Sequence, residues 1–386
     1  MMKRFLSLLL AVCLCMLAGC HAVDSENLFQ LSEPPETEPT TVTEVPDTAA
    51  SGETKEETLP QPSVPADPQP ETDLAYNYGN MQKNIPSGDY MQDESSILFF
   101  DNDGKRFLLK RYDLKTGEVR LLCRDATCEH SDETCPSRAV EANLESYRGK
   151  LYGLSSTGIV MKWNGKAWTE MTKPGVASFW HAEDRLYVVT KDCSLLCYEP
   201  NSKKPVTIAE EFHGFWNTVF GNYLYFNDFS YNASRLDLSH PEKGSQILMK
   251  DTLFVTDGVH LYYTPLDTGY LWQCDMDGTN PVQLTEKTVV PASWNFDADY
   301  FYFRTEENQD MYAGDAAHQL YRFPKQDPGS IQKSAELDEV ISQVFTVPGA
   351  RQIVVTTTTK DAQDGPVYIM DQDGGNLRMI KDAGAE

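Results

Sequence analysis

Residues 260–285, HLYYTPLDTGYLWQCDMDGTNPVQLT, contain the pattern that decides the fold. Two runs of aromatic and aliphatic residues alternate with turn residues, and the second run ends in an Asp-Met-Asp-Gly turn at 275–278. An Asp-Gly pair supplies the positive backbone angles that a tight hairpin needs. Similar turns stand at 371–374 and 101–104. These turns also look like fragments of a calcium loop, but Pro281 occupies the place of the seventh ligand, so we interpret them as plain hairpins.

An internal repeat surrounds this hairpin. Tyr152, Tyr187, Tyr225, Tyr262 and Tyr302 follow one another at steps of 35, 38, 37 and 40 residues. Each belongs to a short apolar run, and most are followed by a second apolar run, a turn and a further β-rich run. This pattern predicts about four short strands per unit, which is typical of propeller blades. The core runs lie at 98–100, 151–152, 186–187, 224–225, 261–262, 301–302 and 353–354.

The seven core runs predict an all-β protein with a β-propeller of seven four-stranded blades. Six or eight blades are the alternative counts, and a pair of β-sandwiches is the alternative fold. A four-stranded sheet cannot bury both of its apolar faces alone, whereas a ring of stacked sheets buries them and protects the sheet edges. We expect the propeller to occupy residues 76–386.

The first twenty residues predict export and lipidation. Lys3 and Arg4 precede an uncharged, leucine-rich run at 5–17, which is shorter than a membrane-spanning helix requires. The run leads into LAGC at 17–20, which resembles the lipobox of bacterial lipoproteins. This resemblance implies removal of a signal peptide, residues 1–19, and a lipid anchor on Cys20. An ordinary secretory signal with an unmodified cysteine is the alternative.

A tether is predicted at residues 20–75. Between 21 and 75, nine prolines and 13 acidic residues accompany a single lysine, and few large apolar side chains follow Leu31. Such a segment buries too little surface to offset chain entropy, so we expect a disordered, extended linker.

The whole chain has 33 basic and 58 acidic residues, and its net charge of −25 argues against nucleic acid as a partner.

Together these features resemble a known group of proteins. The hairpin at 274–285 is similar to the blade hairpin of TolB-like propellers, and the chain resembles uncharacterised exported propeller lipoproteins of Gram-positive bacteria. The resemblance implies an extracytoplasmic protein that the lipid on Cys20 anchors to the cell membrane. It covers roughly residues 85–385 and argues for the fold far more than for a role.

One segment concentrates residues that bind metals. Residues 123–136, CRDATCEHSDETCP, hold Cys123, Cys128, His130 and Cys135, and they resemble a segment that recurs in those lipoproteins. Three thiols and one imidazole make a complete tetrahedral set for structural zinc, the one cofactor that the sequence suggests. Outside the cytoplasm a local disulfide with a spare thiol or a longer bridge is the favoured alternative, and free thiols are the third.

Tryptophans precede three of the core runs. Trp180, Trp216 and Trp294 stand six to eight residues before them, and His181 follows Trp180. This phase predicts positions on inner strands near a central channel, where aromatic faces would suit a sugar ring or a peptide side chain. Packing between blades needs bulky residues at the same positions and is the favoured interpretation.

Common enzyme signatures are absent from the sequence. It contains no Gly-x-Ser-x-Gly, no His-Glu-x-x-His and no Gly-x-x-x-x-Gly-Lys-Ser/Thr motif. The leading hypothesis is therefore a surface-anchored binding or interaction module for a glycan, a peptide or a protein. A hydrolase or lyase with its site at the propeller centre is the second hypothesis, because a ring can bring distant residues together. An envelope scaffold is the third.

Overall fold

The computed structural model describes residues 91–93, 96–102, 107–200, 202–306, 314–346, 351–358 and 364–382. The signal peptide, Cys20, the tether and residues 76–90 lie outside these described residues, so their assignments stay predictions. Within the described part, no helix combines the length and the apolar character needed to cross a bilayer.

The described strands form seven antiparallel sheets, each built from four consecutive strands. The seven-bladed propeller is thereby confirmed. The strands of blades 1 to 4 are β1 (Met91–Asp93), β2 (Ser96–Asn102), β3 (Phe107–Asp113), β4 (Val119–Leu121), β5 (Ala142–Tyr147), β6 (Lys150–Leu154), β7 (Val160–Trp163), β8 (Trp168–Glu170), β9 (Val176–Ala182), β10 (Arg185–Thr190), β11 (Leu195–Tyr198), β12 (Val206–Ala209), β13 (Gly214–Phe220), β14 (Tyr223–Asp228), β15 (Ala233–Asp237) and β16 (Ser245–Met249). The strands of blades 5 to 7 are β17 (Thr252–Thr256), β18 (His260–Pro265), β19 (Tyr270–Asp275), β20 (Val282–Thr288), β21 (Asn295–Phe296), β22 (Tyr300–Phe303), β23 (Gln319–Pro324), β24 (Gln332–Glu336), β25 (Val340–Thr346), β26 (Gln352–Thr358), β27 (Asp364–Asp371) and β28 (Arg378–Lys381). Short 3-10 helices lie at Pro241–Lys243, Pro291–Ser293 and Asp315–His318.

The second strand of every blade carries the predicted core run. In β6, β10, β14 and β18, four successive residues are buried. A strand that is covered on both faces cannot alternate apolar and polar residues, so it forms a continuous apolar run. This is the physical reason why the Leu-Tyr pairs were visible in the sequence.

The first strand of each blade is innermost and the fourth is outermost. First strands of neighbouring blades contact one another at β1–β5, β5–β9, β9–β13 and β21–β25. The fourth strands face outward, and several expose a large apolar side chain, as at Val119, Val206, Ile247 and Met379. The first strands therefore surround the centre of the ring.

Buried clusters join neighbouring blades around the ring, including the seam between its two ends. Ile97 and Phe99 of blade 1 pack with Val354 and Ile369 of blade 7. Lys381 Nζ lies 3.7 Å from a carboxylate oxygen of Asp101 across the same seam. Because each described blade uses only its own four strands, side-chain packing closes the ring without an exchanged strand.

The Asp-Gly turns at 275–278 and 371–374 are plain hairpins, as the sequence predicts, and the turn at 101–104 lies partly outside the described residues. Asn280 Nδ2 donates a hydrogen bond to Asp275 Oδ2 at 2.7 Å, and Asn376 Nδ2 donates to Asp371 Oδ2 at 2.6 Å. The carboxylates of these aspartates thus hold the turn itself, which is a common role for aspartate in tight turns.

An aspartate in blade 6 forms a latch to blade 7 that the sequence analysis missed. Asp297 lies in the turn between the first two strands, and its Oδ1 accepts the backbone N–H groups of Asp299 and Tyr300, both at 2.8 Å. Its Oδ2 accepts the Tyr302 hydroxyl at 2.8 Å and Gln372 Nε2 of blade 7 at 2.7 Å. We call this group of contacts the Asp–Tyr latch.

Blade 5 repeats the Asp–Tyr latch. Asp257 Oδ1 accepts the backbone N–H groups of Val259 and His260 at 3.0 and 2.8 Å. Its Oδ2 accepts the Tyr262 hydroxyl at 3.4 Å and lies 3.0 Å from Lys325 Nζ of blade 6. Burial and the nearby Asp257 carboxylate raise the pKa of Tyr262 well above its usual range, so this hydroxyl keeps its proton. In both blades one carboxylate joins a turn, its own core tyrosine and the next blade.

Candidate metal centre and inner-strand residues

The cysteine segment lies in the connection from β4, the outer strand of blade 1, to β5, the inner strand of blade 2. Two similar turns shape it. Asp125 Oδ1 accepts the Thr127 backbone N–H at 2.9 Å and the Thr127 hydroxyl at 2.7 Å. Asp132 Oδ1 accepts the Thr134 backbone N–H at 2.9 Å and the Thr134 hydroxyl at 2.5 Å. These threonine hydrogen bonds lower the pKa of each aspartate, which keeps both turns charged and closed.

A cysteine ends each of these turns. The Cys128 N–H donates to the Asp125 carbonyl at 3.2 Å, and the Cys135 N–H donates to the Asp132 carbonyl at 3.2 Å. The sequence therefore contains Asp-x-Thr-Cys twice, at 125–128 and at 132–135, a local repeat that the sequence analysis did not use. Each turn directs its cysteine to the same place.

His130 and Cys123 complete the cluster. His130 has a left-handed backbone, with φ of 52°, and its Nδ1 lies 3.2 Å from Cys135 Sγ. The His130 backbone N–H also donates to Cys128 Sγ at 3.4 Å. One ligand atom from each of Cys123, Cys128, His130 and Cys135 lies within 4.8 Å of all the others. We call these four residues the Cys₃His cluster.

The Cys₃His cluster fits a tetrahedral metal ion in residue type, in number and in proximity. Zn–S bonds are about 2.3 Å and Zn–N bonds about 2.0 Å, so the ligand atoms of a tetrahedral site lie a few ångströms apart. All three cysteines are free thiols in the structure, and Cys123 and Cys135 are buried. Burial, the largest cause, raises the pKa of the Cys135 thiol to about 12. Four protein ligands would fill the coordination positions of a tetrahedral ion, which is the arrangement of structural zinc sites.

The residues that follow the cluster contact both adjacent blades. Towards blade 1, the Leu109 backbone N–H donates to the Ser137 carbonyl at 2.9 Å, and the Cys123 N–H donates to Ser137 Oγ at 2.8 Å. Towards blade 2, Trp168 Nε1 donates to the Pro136 carbonyl at 2.8 Å. We call residues 122–141 the bracket, because they are fixed to one blade on each side.

His181, which the sequence places beside Trp180, forms a buried pair between blades 2 and 3. Its Nδ1 lies 2.6 Å from Glu145 Oε2, and its backbone N–H donates to Glu145 Oε1 at 3.0 Å. The imidazole packs against the rings of Tyr147 and Tyr152, with centroid distances of 5.1 and 4.1 Å. Glu145 is 1% exposed and His181 5%, so this pair fastens one inner strand to the next.

Replacement of Glu145 with alanine is expected to lower the free energy of unfolding by about 3 kcal/mol, because it leaves the buried N–H groups of His181 without their acceptor. Urea unfolding followed by tryptophan fluorescence measures this loss. Glu199→Ala is the matched control, since Glu199 accepts from Arg185 Nε at 3.0 Å on the surface and such exposed pairs contribute about 0–1 kcal/mol. Equal losses in the two variants would contradict the fastening role.

The three predicted tryptophans lie at the inner strands and are buried. Trp180 lies on β9 and stacks on Tyr187 with centroids 5.6 Å apart. Trp216 lies on β13, and its ring meets that of Trp294, just before β21, edge to face at 6.5 Å. All three are less than 5% exposed and belong to clusters between blades. Their contacts are those of packing residues, and a ligand-binding role for them stays a prediction.

Comparison with known proteins adds no family assignment. No protein-family model matches the chain, and no curated protein matches it. Similar solved structures include the computationally designed Ika8 protein, with a TM-score of 0.45, 11% identity and coverage of 75% of this chain and 85% of that chain. BamB from Moraxella catarrhalis has a TM-score of 0.41 and 12% identity, and the match covers 71% of this chain and 82% of BamB. For a chain of the nidogen/laminin complex the TM-score is 0.37 and the identity 16%, with coverage of 56% of this chain and 87% of that chain. At these TM-scores the likenesses carry no argument about activity.

Proposed function

We propose that this protein is an extracytoplasmic lipoprotein whose propeller binds a glycan, a peptide or another protein. The observation that carries the proposal is a seven-bladed ring, a common interaction module. In the same chain, the apolar run near the N-terminus leads into the lipobox-like LAGC at 17–20. The acidic, proline-rich segment 20–75 would act as the tether between Cys20 and the ring.

Strand order favours one face of the ring for binding. In an antiparallel blade, the start of the first strand, the turn between the second and third strands and the link to the next blade share one face. We call this the tether face, because the chain enters β1 there. The turns between the first and second strands and between the third and fourth strands form the opposite, free face. The free face can meet a ligand without obstruction from the tether, so we place binding there.

A ligand screen tests the binding function. The full mature chain, carrying Cys20→Ser to keep it out of membranes, is offered to arrays of glycans and peptides and to envelope extracts. Saturable binding is expected, and Asp373→Lys on the free face should weaken it more than the matched Asp267→Lys on the tether face. Absence of saturable binding in every class would overturn the proposal, and a larger effect at Asp267 would overturn the choice of face.

Lipidation has its own test. The Cys20→Ser chain expressed in a Gram-positive host is expected to lose incorporation of labelled palmitate and to move from the membrane fraction to the medium. Cys15→Ser, inside the signal peptide, is the matched control and should leave both properties unchanged. Retention of the label in the Cys20→Ser chain would contradict the anchor.

We further propose that the Cys₃His cluster holds structural zinc. Elemental analysis of protein purified without chelators is expected to find stoichiometric zinc, and Cys135→Ser should remove it. Cys197→Ser is the matched control, because Cys197 is also a buried free cysteine but lies outside the cluster. A metal-free protein whose intact mass shows a disulfide among Cys123, Cys128 and Cys135 would contradict the zinc proposal.

A further inference from the structure

We propose that metal in the Cys₃His cluster fastens blade 1 into the ring, so that loss of the metal loosens this blade selectively. The inference rests on the zinc proposal above and adds what the metal controls. The contacts of blade 1, the path of the bracket and the point where the tether enters the ring support it.

Blade 1 has a short outer edge. Its fourth strand, β4, has three residues and pairs with β3 at three positions. Few ladder hydrogen bonds at this outer edge lower the free energy needed for its local opening.

The seam on the other side of blade 1 offers no backbone reinforcement among the described strands. Blade 7 meets blade 1 through the cluster around Ile97 and Val354 and through the Lys381–Asp101 pair. That pair is partly exposed and therefore contributes little to stability. The guanidinium carbon of Arg378 in blade 7 also lies 5.9 Å from the centre of the Tyr112 ring in blade 1. The described contacts at this seam are thus made by side chains, and the attachment to blade 2 is the second support of blade 1.

The bracket supplies this attachment, and the cluster lies within it. Cys123 follows β4 after one residue, so it belongs to the outer edge of blade 1. Cys135 directly precedes Pro136, whose carbonyl accepts the indole N–H of Trp168 in blade 2. Ser156 Oγ of blade 2 donates to Glu133 Oε1 at 2.6 Å, which holds the same stretch. A metal bound to Cys123 and Cys135 would therefore join the edge of blade 1 to a segment seated on blade 2.

Blade 1, which this metal contact would hold, is also the blade that the chain enters after the predicted tether. β1 is the first described strand of the ring, and it contacts β5 of blade 2. β1 pairs with β2, so a pull along the chain towards its N-terminus would reach blade 1 before the other blades. A cross-link between blades 1 and 2 would resist peeling at this point.

Hydrogen exchange of the full mature chain, with Cys20→Ser and with zinc content measured in every sample, tests the inference. Removal of zinc by chelation is expected to speed exchange of residues 96–113 by about tenfold or more, while blades 4 and 5 change little. Restoring zinc should reverse the effect. The readout lies outside the bracket, so disorder of the bracket alone would not produce it.

A variant that keeps all four ligands separates the fastening from the metal. Trp168→Phe removes the indole donor and should speed exchange in blade 1 while zinc stays bound. Trp163→Phe is the matched control, because this neighbouring ring lies 5.3 Å from Trp168 and has no hydrogen bond to the bracket in the described structure.

Two outcomes would overturn the inference and leave the zinc proposal intact: zinc bound with no change of blade 1 on chelation, or an equal rise in all blades. Protein that never binds zinc would overturn both proposals. Unchanged exchange in Trp168→Phe would show that the bracket does not carry the fastening.

Discussion

Gly374→Ala is expected to destabilise the propeller by about 4 kcal/mol, whereas Gly278→Ala in the equivalent turn of blade 5 should cost about 1–2 kcal/mol. Both glycines have φ of +85°, so both variants carry the same left-handed strain. A Cβ at Gly374 would lie 2.1 Å from the Ser334 carbonyl oxygen of blade 6, but a Cβ at Gly278 would lie 3.6 Å from Leu248 Cβ. The extra loss at Gly374 reports how closely the last blade docks on its neighbour.

Urea unfolding of the two variants and the wild-type chain measures this difference. Gly165→Ala provides a control without any neighbour, since its φ is +93° and nothing lies within 4 Å of its Cβ position. The free energy of unfolding of Gly165→Ala should fall only by the cost of a left-handed backbone at alanine, as in Gly278→Ala. Equal losses at Gly374 and Gly165 would show that the tight approach to Ser334 is not present in solution.

Asp297→Ala is expected to lower the free energy of unfolding by about 3–5 kcal/mol, because one buried carboxylate serves four donors. Without it, two backbone N–H groups, the Tyr302 hydroxyl and the Gln372 amide lose their acceptor. Tyr302→Phe removes one of these donors and should cost only about 1 kcal/mol. The large ratio between the two losses identifies the carboxylate as the centre of the Asp–Tyr latch.

Asp299→Ala is the matched control for the latch, because Asp299 is an exposed aspartate two residues away in the same turn. Its loss should stay within about 0.5 kcal/mol, as for surface substitutions in general. Thermal unfolding by circular dichroism would follow all three variants. An Asp297→Ala protein as stable as Asp299→Ala would contradict the latch.

The number of blades was predictable because its signal is local. Each second strand is covered on both faces, so pairs such as Leu261-Tyr262 mark one blade each. The phase of the tryptophans was also informative, since Trp180 and Trp216 do lie on first strands. Whether the indole of such a tryptophan faces a central channel or a neighbouring blade depends on contacts with residues far away in the chain. The sequence pattern alone did not decide between these two positions.

The contacts between blades were not predictable. Glu145 and His181 are 36 residues apart, and Asp297 and Gln372 are 75 apart. The spacing of five residues from Asp297 to Tyr302 does not by itself predict a contact between blades. That contact arises because Gln372 of the next blade donates to the same carboxylate oxygen as Tyr302. For the Cys₃His cluster, the sequence supplied the ligand types, and the two Asp-x-Thr-Cys turns and the left-handed His130 brought them together.

By itself the sequence determined the repeat, the number of strands in each blade and the residue types of the Cys₃His cluster. These follow from short-range periodicity, turn chemistry and side-chain identity, which are all properties of neighbouring residues. Only the tertiary structure decided which buried groups of one blade meet those of the next, how the ring closes and where the bracket is seated. Those contacts depend on the relative position of whole sheets, because the free energy of burial is gained only when the sheets stack.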